Sequence, residues 1–445
     1  MALDILIGVA LVLGIIILVH EWGHFIVARL CGVRVDVFSI GFGPRLFGWK
    51  RGATDWRISA LPLGGYVRMA GQDLSDVDSN DVAPTGASDE LMSKPRWQRA
   101  LIAFGGPAVN FIFPLILLGA FYAAVGLPHS ASLRQPLQIS YFSTAPAPSS
   151  PLHVGDRIVQ LNDLKNPTWE SALEYLDKQG PDTAITVIVA NKDGERTIQT
   201  SLKDGNSFNR LFGFAPFPPI IDEVAAGTPA KRAGLKSGDR VVEVNGTPVS
   251  YWGQFVDAVR QSKGQPVALK IARKGQILSL SVTPQQGLSD SAENTWQIGV
   301  VNQDDIIYQR TSLRESTQYA FRKTGDFFAQ TVGVVGKLFS GRASVKQLQS
   351  VVGIAQVSGE AVRRGPSQVI LLMAFISVNL GILNLLPIPI LDGGQILLLS
   401  IEGLMRRDLS MAVKERFVQV GFVFLLLLFA YVMYNDVVRL ISIHS

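Results

Sequence analysis

His20-Glu21-Trp22-Gly23-His24 closes an unbroken apolar run from Ile5 to Val19. Histidines four residues apart lie on one face of a helix, so both imidazoles can reach one metal ion. The glutamate between them stands close to the same ion and can take a proton from its bound water. The chain has only five histidines, and these two end a stretch that reads as a transmembrane helix. Ionisable groups are costly in lipid and by default functional. The alternative is a helix end whose polar residues merely meet the headgroups.

The rest of the chain supports a membrane setting. Of its 445 residues 47% are hydrophobic and only 17% charged, which fits a membrane protein with soluble parts. The net charge of +5 is modest, and its basic residues are not interleaved with aromatics, so no nucleic-acid surface is expected. Cys31 is the single cysteine, which excludes an intrachain disulfide; it reads as a metal ligand or, more simply, as a small apolar residue near a helix end. The N-terminal run has no basic flank and no small-residue cleavage site before the histidines, so it is expected to be retained and to span.

Four stretches are long enough to cross a bilayer, which takes about 20 residues: Leu3 to Leu30, Ala100 to Val125, Val369 to Leu386 and Phe417 to Met433. Lysine and arginine in short connections set orientation. Residues 31–98 carry Arg34, Arg45, Lys50, Arg51, Arg57, Arg68, Lys94 and Arg96, and the last connection carries Arg406, Arg407, Lys414 and Arg416. Both connections are therefore expected on the cytoplasmic side, with both termini and residues 127–366 outside and the histidines toward the cytoplasm.

Between the first two spans, Val33 to Phe38, Trp56 to Ala60 and Gly64 to Met69 read as strands, with Gly41-Phe42-Gly43-Pro44 as a break. Such a sheet can bind an extended peptide at its edge or simply pack as a stabilising hairpin. Residues 72–93 read as a polar loop. The second span contains Gly105-Gly106-Pro107, which allows close approach of a neighbour, and Asn110, which either hydrogen-bonds near the metal or ties helices together.

The outer segment repeats itself. Gly155-Asp156-Arg157-Ile158-Val159 returns as Gly238-Asp239-Arg240-Val241-Val242 at an offset of 83 residues, and Trp169 and Trp252 keep that offset. This is two copies of one small domain rather than a solenoid. The second copy, with Thr228-Pro229-Ala230 and Ala233-Gly234-Leu235, resembles bacterial PDZ domains; the first lacks the Ala-Gly-Leu part and has Pro-rich Ala145 to Pro151 instead. Each copy can take a peptide end beside a strand edge or act as a steric filter. In residues 312–365, Phe321, Phe328, Val332, Val335 and Phe339 share a helical face, consistent with an amphipathic helix on the outer leaflet or a brace.

A catalytic zinc usually takes three protein ligands and keeps one position open. His129, His153 and His444 fall outside the spans, which leaves Asp392, in Asn384-Leu385-Leu386-Pro387-Ile388-Pro389-Ile390-Leu391-Asp392-Gly393, as the best third ligand. The prolines break the helix there, and broken helix at membrane depth lines a cavity. The alternative is an interfacial aspartate capping the next helix.

Together the His20-Glu21-x-x-His24 motif, the Asn384-to-Gly393 segment, Gly41-Phe42-Gly43-Pro44 and the PDZ-like pair resemble the site-2 protease family of intramembrane zinc metalloproteases, in particular its bacterial RseP-type branch. The resemblance implies regulated cleavage of single-pass membrane proteins, anti-sigma factors or signal-peptide remnants, in the inner membrane after another protease has trimmed them. It implies Zn2+ held by His20, His24 and Asp392, with Glu21 as the catalytic base. It further implies that Gly64, Gly65, Tyr66 and Val67 clamp unwound substrate, and that Asn379 and Asn384 handle it. The expected fold is a polytopic α-helical membrane protein of four transmembrane helices, with a membrane-associated β-hairpin or sheet and two extracytoplasmic PDZ-like α+β domains. Its parts are helix 1 (1–30), a β-rich loop (31–98), helix 2 (99–126), a degenerate PDZ-like domain (127–205), a second one (206–288), a linker with amphipathic helices (289–366), helix 3 (367–394), a cytoplasmic connection (395–416) and helix 4 with the tail (417–445). A metal transporter is a rival reading, but needs neither Glu21 nor outer peptide-binding domains. An inactive PDZ scaffold is another, though it would be expected to have lost Glu21 or a ligand.

Overall fold

The computed structural model describes residues 2–72, 85–142, 152–179, 183–192, 194–201, 207–225, 227–286, 295–340 and 351–444. The Pro-rich stretch 145–151 and most of the polar loop, 73–84, lie outside them. Two compact units result, residues 1–127 with 310–445, and residues 128–309.

In the first unit, α1 (Ala2–Val9) and α2 (Ile15–Leu30) join through a π-helical turn, Ala10–Gly14. Then come two long strands, β1 (Val35–Arg51) and β2 (Thr54–Met69), and α3 (Arg96–Val125). Three helical stretches are long and apolar enough to cross a membrane among the described residues: Leu3–Leu30, Arg96–Val125 and Pro366–Asn384, with mean hydropathies of 2.7, 2.1 and 1.8. The expected fourth, from Phe417, belongs to a 34-residue helix at the end of the chain.

Both long strands bend, so their register runs twice. Residues 35–40 pair with 65–69 on one side and with 55–58 on the other, and 45–51 pair with 54–59 beyond that. The result is four plies with 65–69 at one edge, and no other strand pairs with that edge among the described residues. The turn into it needs Gly64, whose φ of +124° is open to glycine but not to a side chain. Beneath the sheet, Val33, Val35 and Met69 bury against Ala28 and Ile102, with Cys31 packed beside them as a small apolar residue.

The second unit contains β3 (Leu127–Ser130, joining at its first residue), β4 (Arg157–Leu161), β5 (Leu164–Lys165), α4 (Trp169–Asp177), β6 (Ala184–Asn191), β7 (Gly194–Ser201) and α5 (Ser207–Phe212). It continues with β8 (Ile221–Val224), α6 (Pro229–Arg232), β9 (Arg240–Val244), β10 (Thr247–Pro248), α7 (Trp252–Gln261), β11 (Val267–Arg273), β12 (Gln276–Val282), β13 (Val300–Asn302) and β14 (Ile306–Gln309). The two four-stranded sheets have matching orders, β5-β4-β6-β7 and β10-β9-β11-β12. The repeated Gly-Asp explains itself. Asp156 accepts from the His153 amide and pairs with Arg196, as Asp239 accepts from the Lys236 amide and pairs with Arg273. Burial pushes the Asp156 carboxyl up, but these donors and Asn191 outweigh it and hold it below its ordinary range. The second copy's core takes in Ile298 and Val300, and the first reaches Phe212 and Ala215. Both therefore extend past the bounds of 205 and 288 read from sequence.

Back in the first unit, α8 (Leu313–Phe339), α9 (Val351–Arg364), α10 (Pro366–Asn384), α11 (Asp392–Met405) and α12 (Met411–His444) complete the chain. Helices α2, α10, α8 and α11 all pack on α3. The α8 periodicity holds, and the apolar face it defines is exposed, as in the leaflet alternative and not in the brace. Phe321, Phe328 and Val332 are 58, 47 and 44% exposed, while Ser316, Ala320, Thr324, Phe327 and Thr331 are buried. Small and hydroxyl residues on the buried side let α8 approach α3 and α10 closely.

Candidate metal centre

Every residue of the opening motif has a place. Trp22 leaves α2 toward the sheet, where it meets Phe25, Phe38 and Trp56 with ring centroids 5.0–6.0 Å apart throughout the cluster. Gly23 meets Gly105 of α3 backbone to backbone; a Cβ on Gly23 would lie 2.3 Å from the Gly105 carbonyl oxygen. That contact brings α3 against the two histidines. Gly106 then faces them so closely that its own Cβ would stand 2.4 Å from His24 Nε2 and 2.6 Å from His20 Cε1.

Asp392 is the first residue of α11, and Leu391 is its N-cap, with no side-chain cap bond. Asp392 is therefore not the capping residue. It faces the histidines instead: Oδ2 lies 3.3 Å from His20 Nε2 and Oδ1 lies 3.4 Å from His24 Nε2. The two Nε2 atoms are 3.1 Å apart. The loop that delivers it is strained at Ile390, a β-branched residue held at φ +84°.

These edges test whether a metal fits. Four ligands placed tetrahedrally at zinc bond lengths lie about 3.3–3.4 Å from one another. The three observed edges match, and no other group of three His, Cys, Asp or Glu converges this way among the described residues. The far side of each ring agrees. His24 Nδ1–H donates to the Ile102 carbonyl at 2.9 Å, which leaves its Nε2 lone pair for an ion. Asn110, fully buried, sits 3.1 Å from His20 Nδ1. The donor set fits zinc.

Glu21, on the same helix turn, has the backbone amide of Val67 within hydrogen-bonding reach. Gly65 is close as well: its Cβ would fall 3.8 Å from Glu21 Cγ. The free edge 65–69 thus runs beside the glutamate. Asn384, at the end of α10, places Nδ2 3.2 Å from His20 Nε2. Asn379 instead pairs its Oδ1 with the Thr331 hydroxyl of α8. Three contributors have little or no sequence signal of their own: the Ile102 carbonyl, which any residue supplies, Trp22, an unspecified position of the motif, and Gly106, half of a Gly-Gly pair.

A His–His–Asp cluster with His20 buried and His24 and Asp392 partly so, beside a glutamate and set among apolar helices, defines a membrane-embedded metallopeptidase. The profile of peptidase family M50 matches residues 8–428, and the chain belongs to that family, the site-2 proteases. It is a zinc metalloprotease. The chain is 34% identical over 452 residues to the regulator of sigma-E protease RseP of Salmonella typhimurium, covering 96% of this chain and 97% of the relative. It is 33% identical to that of Escherichia coli over the same shares, and 34% identical to protease RseP of Yersinia pestis, again 96% and 97%. Among solved structures, the PDZ domain of an SdrC-like protein from Listeria monocytogenes covers 19% of this chain and 84% of its own, at 19% identity and a TM-score of 0.17.

Proposed function

We propose that this chain is an RseP-type intramembrane endopeptidase that cuts single-pass membrane proteins within their apolar segment. It acts after outer trimming, in the inner membrane of a bacterium. The observation that carries the reading is the convergence of His20, His24 and Asp392 beside Glu21 and a free strand edge. His20, His24 and Asp392 hold the zinc. When bound, zinc polarises the scissile carbonyl and acidifies a water. Glu21 takes that water's proton and later returns it to the leaving amine.

A substrate helix hides its peptide bonds in its own hydrogen bonds and must unwind. The edge Gly64-Gly65-Tyr66-Val67 offers replacement backbone partners by strand addition. Asn384 donates to the substrate carbonyl as charge develops on it. Asn379 acts on substrate only by releasing Thr331. The α12 segment 417–433 is the fourth span, both basic connections are cytoplasmic, and the two repeated domains are PDZ-like and outside. Between these copies, a cavity of about 310 Å3 lined by Trp169, Phe214 and Trp252 suits an apolar peptide end. Natural substrates of this class are anti-sigma factors and signal-peptide remnants.

The test is cleavage of a tagged single-pass peptide by purified protein in detergent. Cutting inside the apolar segment, abolished by Glu21→Gln and by a zinc chelator, is expected. No cutting of several trimmed substrates by zinc-loaded protein would refute the reading.

A further inference from the structure

Asn110 is fully buried on α3, and its side chain carries an imbalance. Nδ2 stands 3.1 Å from His20 Nδ1, while Oδ1 is buried without a partner. Nδ2 can donate only to a bare Nδ1, and that tautomer puts the ring proton on Nε2, the atom directed at Asp392 and His24. A His20 protonated there cannot be a ligand. A half-turn of the amide gives Oδ1 the Nδ1–H as a partner and leaves Nε2 with its lone pair toward the centre, where Asn384 Nδ2 stands as a donor at 3.2 Å; the buried position without a partner passes to Nδ2.

We infer that Asn110 is a positioning residue that accepts the Nδ1–H of His20 through Oδ1 and so fixes the tautomer in which His20 binds the ion. The inference rests on the reading of His20 as a ligand. The two histidines then match, since Ile102 gives His24 the same service through a backbone carbonyl. Asn110 also joins the two halves of the ligand set. Its own carbonyl accepts from Ser377 Oγ of α10 at 2.9 Å, and α10 leads into the loop that presents Asp392. The two contacts are separable: the side chain serves His20, the backbone serves α10.

This separation makes the test. Full-length protein in detergent is loaded with zinc, and the rate of zinc release to a chromogenic chelator is read for wild type, Asn110→Leu, Asn110→Asp, Ser377→Ala and His20→Ala. Thermal unfolding of the zinc-free proteins is read in parallel. Removing the partner of a ligating histidine typically costs roughly 10–100-fold in metal affinity. Asn110→Leu is expected to release zinc faster by that factor. Asn110→Asp, which keeps an acceptor and the shape, is expected to hold zinc at least as tightly as wild type. Ser377→Ala is expected to lower the zinc-free unfolding temperature with little change in release.

If Asn110→Asp releases zinc as fast as Asn110→Leu while both fold like wild type, the amide is not an acceptor and the inference is wrong. If Ser377→Ala speeds release as much as Asn110→Leu, helix packing explains the effect and the inference is equally wrong. Full zinc retention by His20→Ala would overturn the ligand reading itself, an outcome distinct from a null effect at Asn110.

Discussion

Replacing Gly106 by alanine should weaken metal binding more than it weakens folding. The added Cβ would lie 2.4 Å from His24 Nε2 and 2.6 Å from His20 Cε1. Ordinary contact begins near 3.4 Å, so both rings must give, by about 0.8–1 Å, whereas zinc bonds tolerate roughly 0.2 Å. The rings have little room to comply, because the far nitrogen of each is tied, to Ile102 in one case and Asn110 in the other. One zinc bond is therefore lost. Zinc sites of four ligands contribute about 10–16 kcal/mol, so one ligand is worth roughly 3–4 kcal/mol, or about 10²–10³-fold in affinity. Without zinc the rings can clear the methyl only by breaking those same ties, at about 1–3 kcal/mol, and an alanine directly before Pro107 forgoes the usual helical advantage over glycine. The assay is zinc competition against a chelator of known affinity, beside thermal unfolding of the zinc-free protein. Wild-type zinc affinity in Gly106→Ala would refute the assignment of His20 and His24 as ligands facing α3. Equal loss of zinc and of zinc-free stability would refute the claim that Gly106 serves the histidines rather than the helix contact.

Glu21→Gln should keep zinc at one equivalent and lower turnover by about 10²–10⁴-fold, read by metal content and peptide cleavage. Val67→Pro removes the amide beside Glu21 from the free edge; cleavage should fall at least tenfold with zinc retained, and normal turnover would rule out the clamp. At the start of α8, the Thr311 hydroxyl, then the Ser312 amide and hydroxyl, hold the Glu315 carboxyl at about 2, below its ordinary 4.5. This cap is complete above about 4.5 and is lost as pH falls toward about 2. Pepsin nicking near Leu313, compared with Glu315→Ala, which removes the acceptor, should rise over that window in wild type and lack that rise in the variant.

The centre was legible because its chemistry is carried by rare residues at fixed spacing. Two of five histidines stood four apart at the end of a span, and Asp392 followed a helix broken by Pro387 and Pro389. The sheet was legible only in part. Gly41-Phe42-Gly43-Pro44 read as the end of a strand, but β1 bends there and runs on, so the ply 45–51 was not foreseen. In α8 the period was right, while which of leaflet helix or brace it formed was left open, because a shared apolar face does not say what covers it. Asn110 stayed ambiguous between metal partner and interhelical tie because it is both, one through its side chain and one through its backbone. The contribution of Ile102 is a carbonyl, which no side-chain pattern records.

The proposed ligands are divided between α2 and α11, and that division has a consequence for when the enzyme comes into being. His24 and Asp392 are 368 positions apart (392 − 24) in the chain. At about 5–20 residues per second of synthesis, the proposed base and two of the proposed ligands are inserted roughly 20–70 s before the third leaves the ribosome. Throughout that interval the nascent chain carries its glutamate into the bilayer without a complete metal set. On the proposed ligand set, unfinished copies are expected to be inert toward the membrane proteins being made around them.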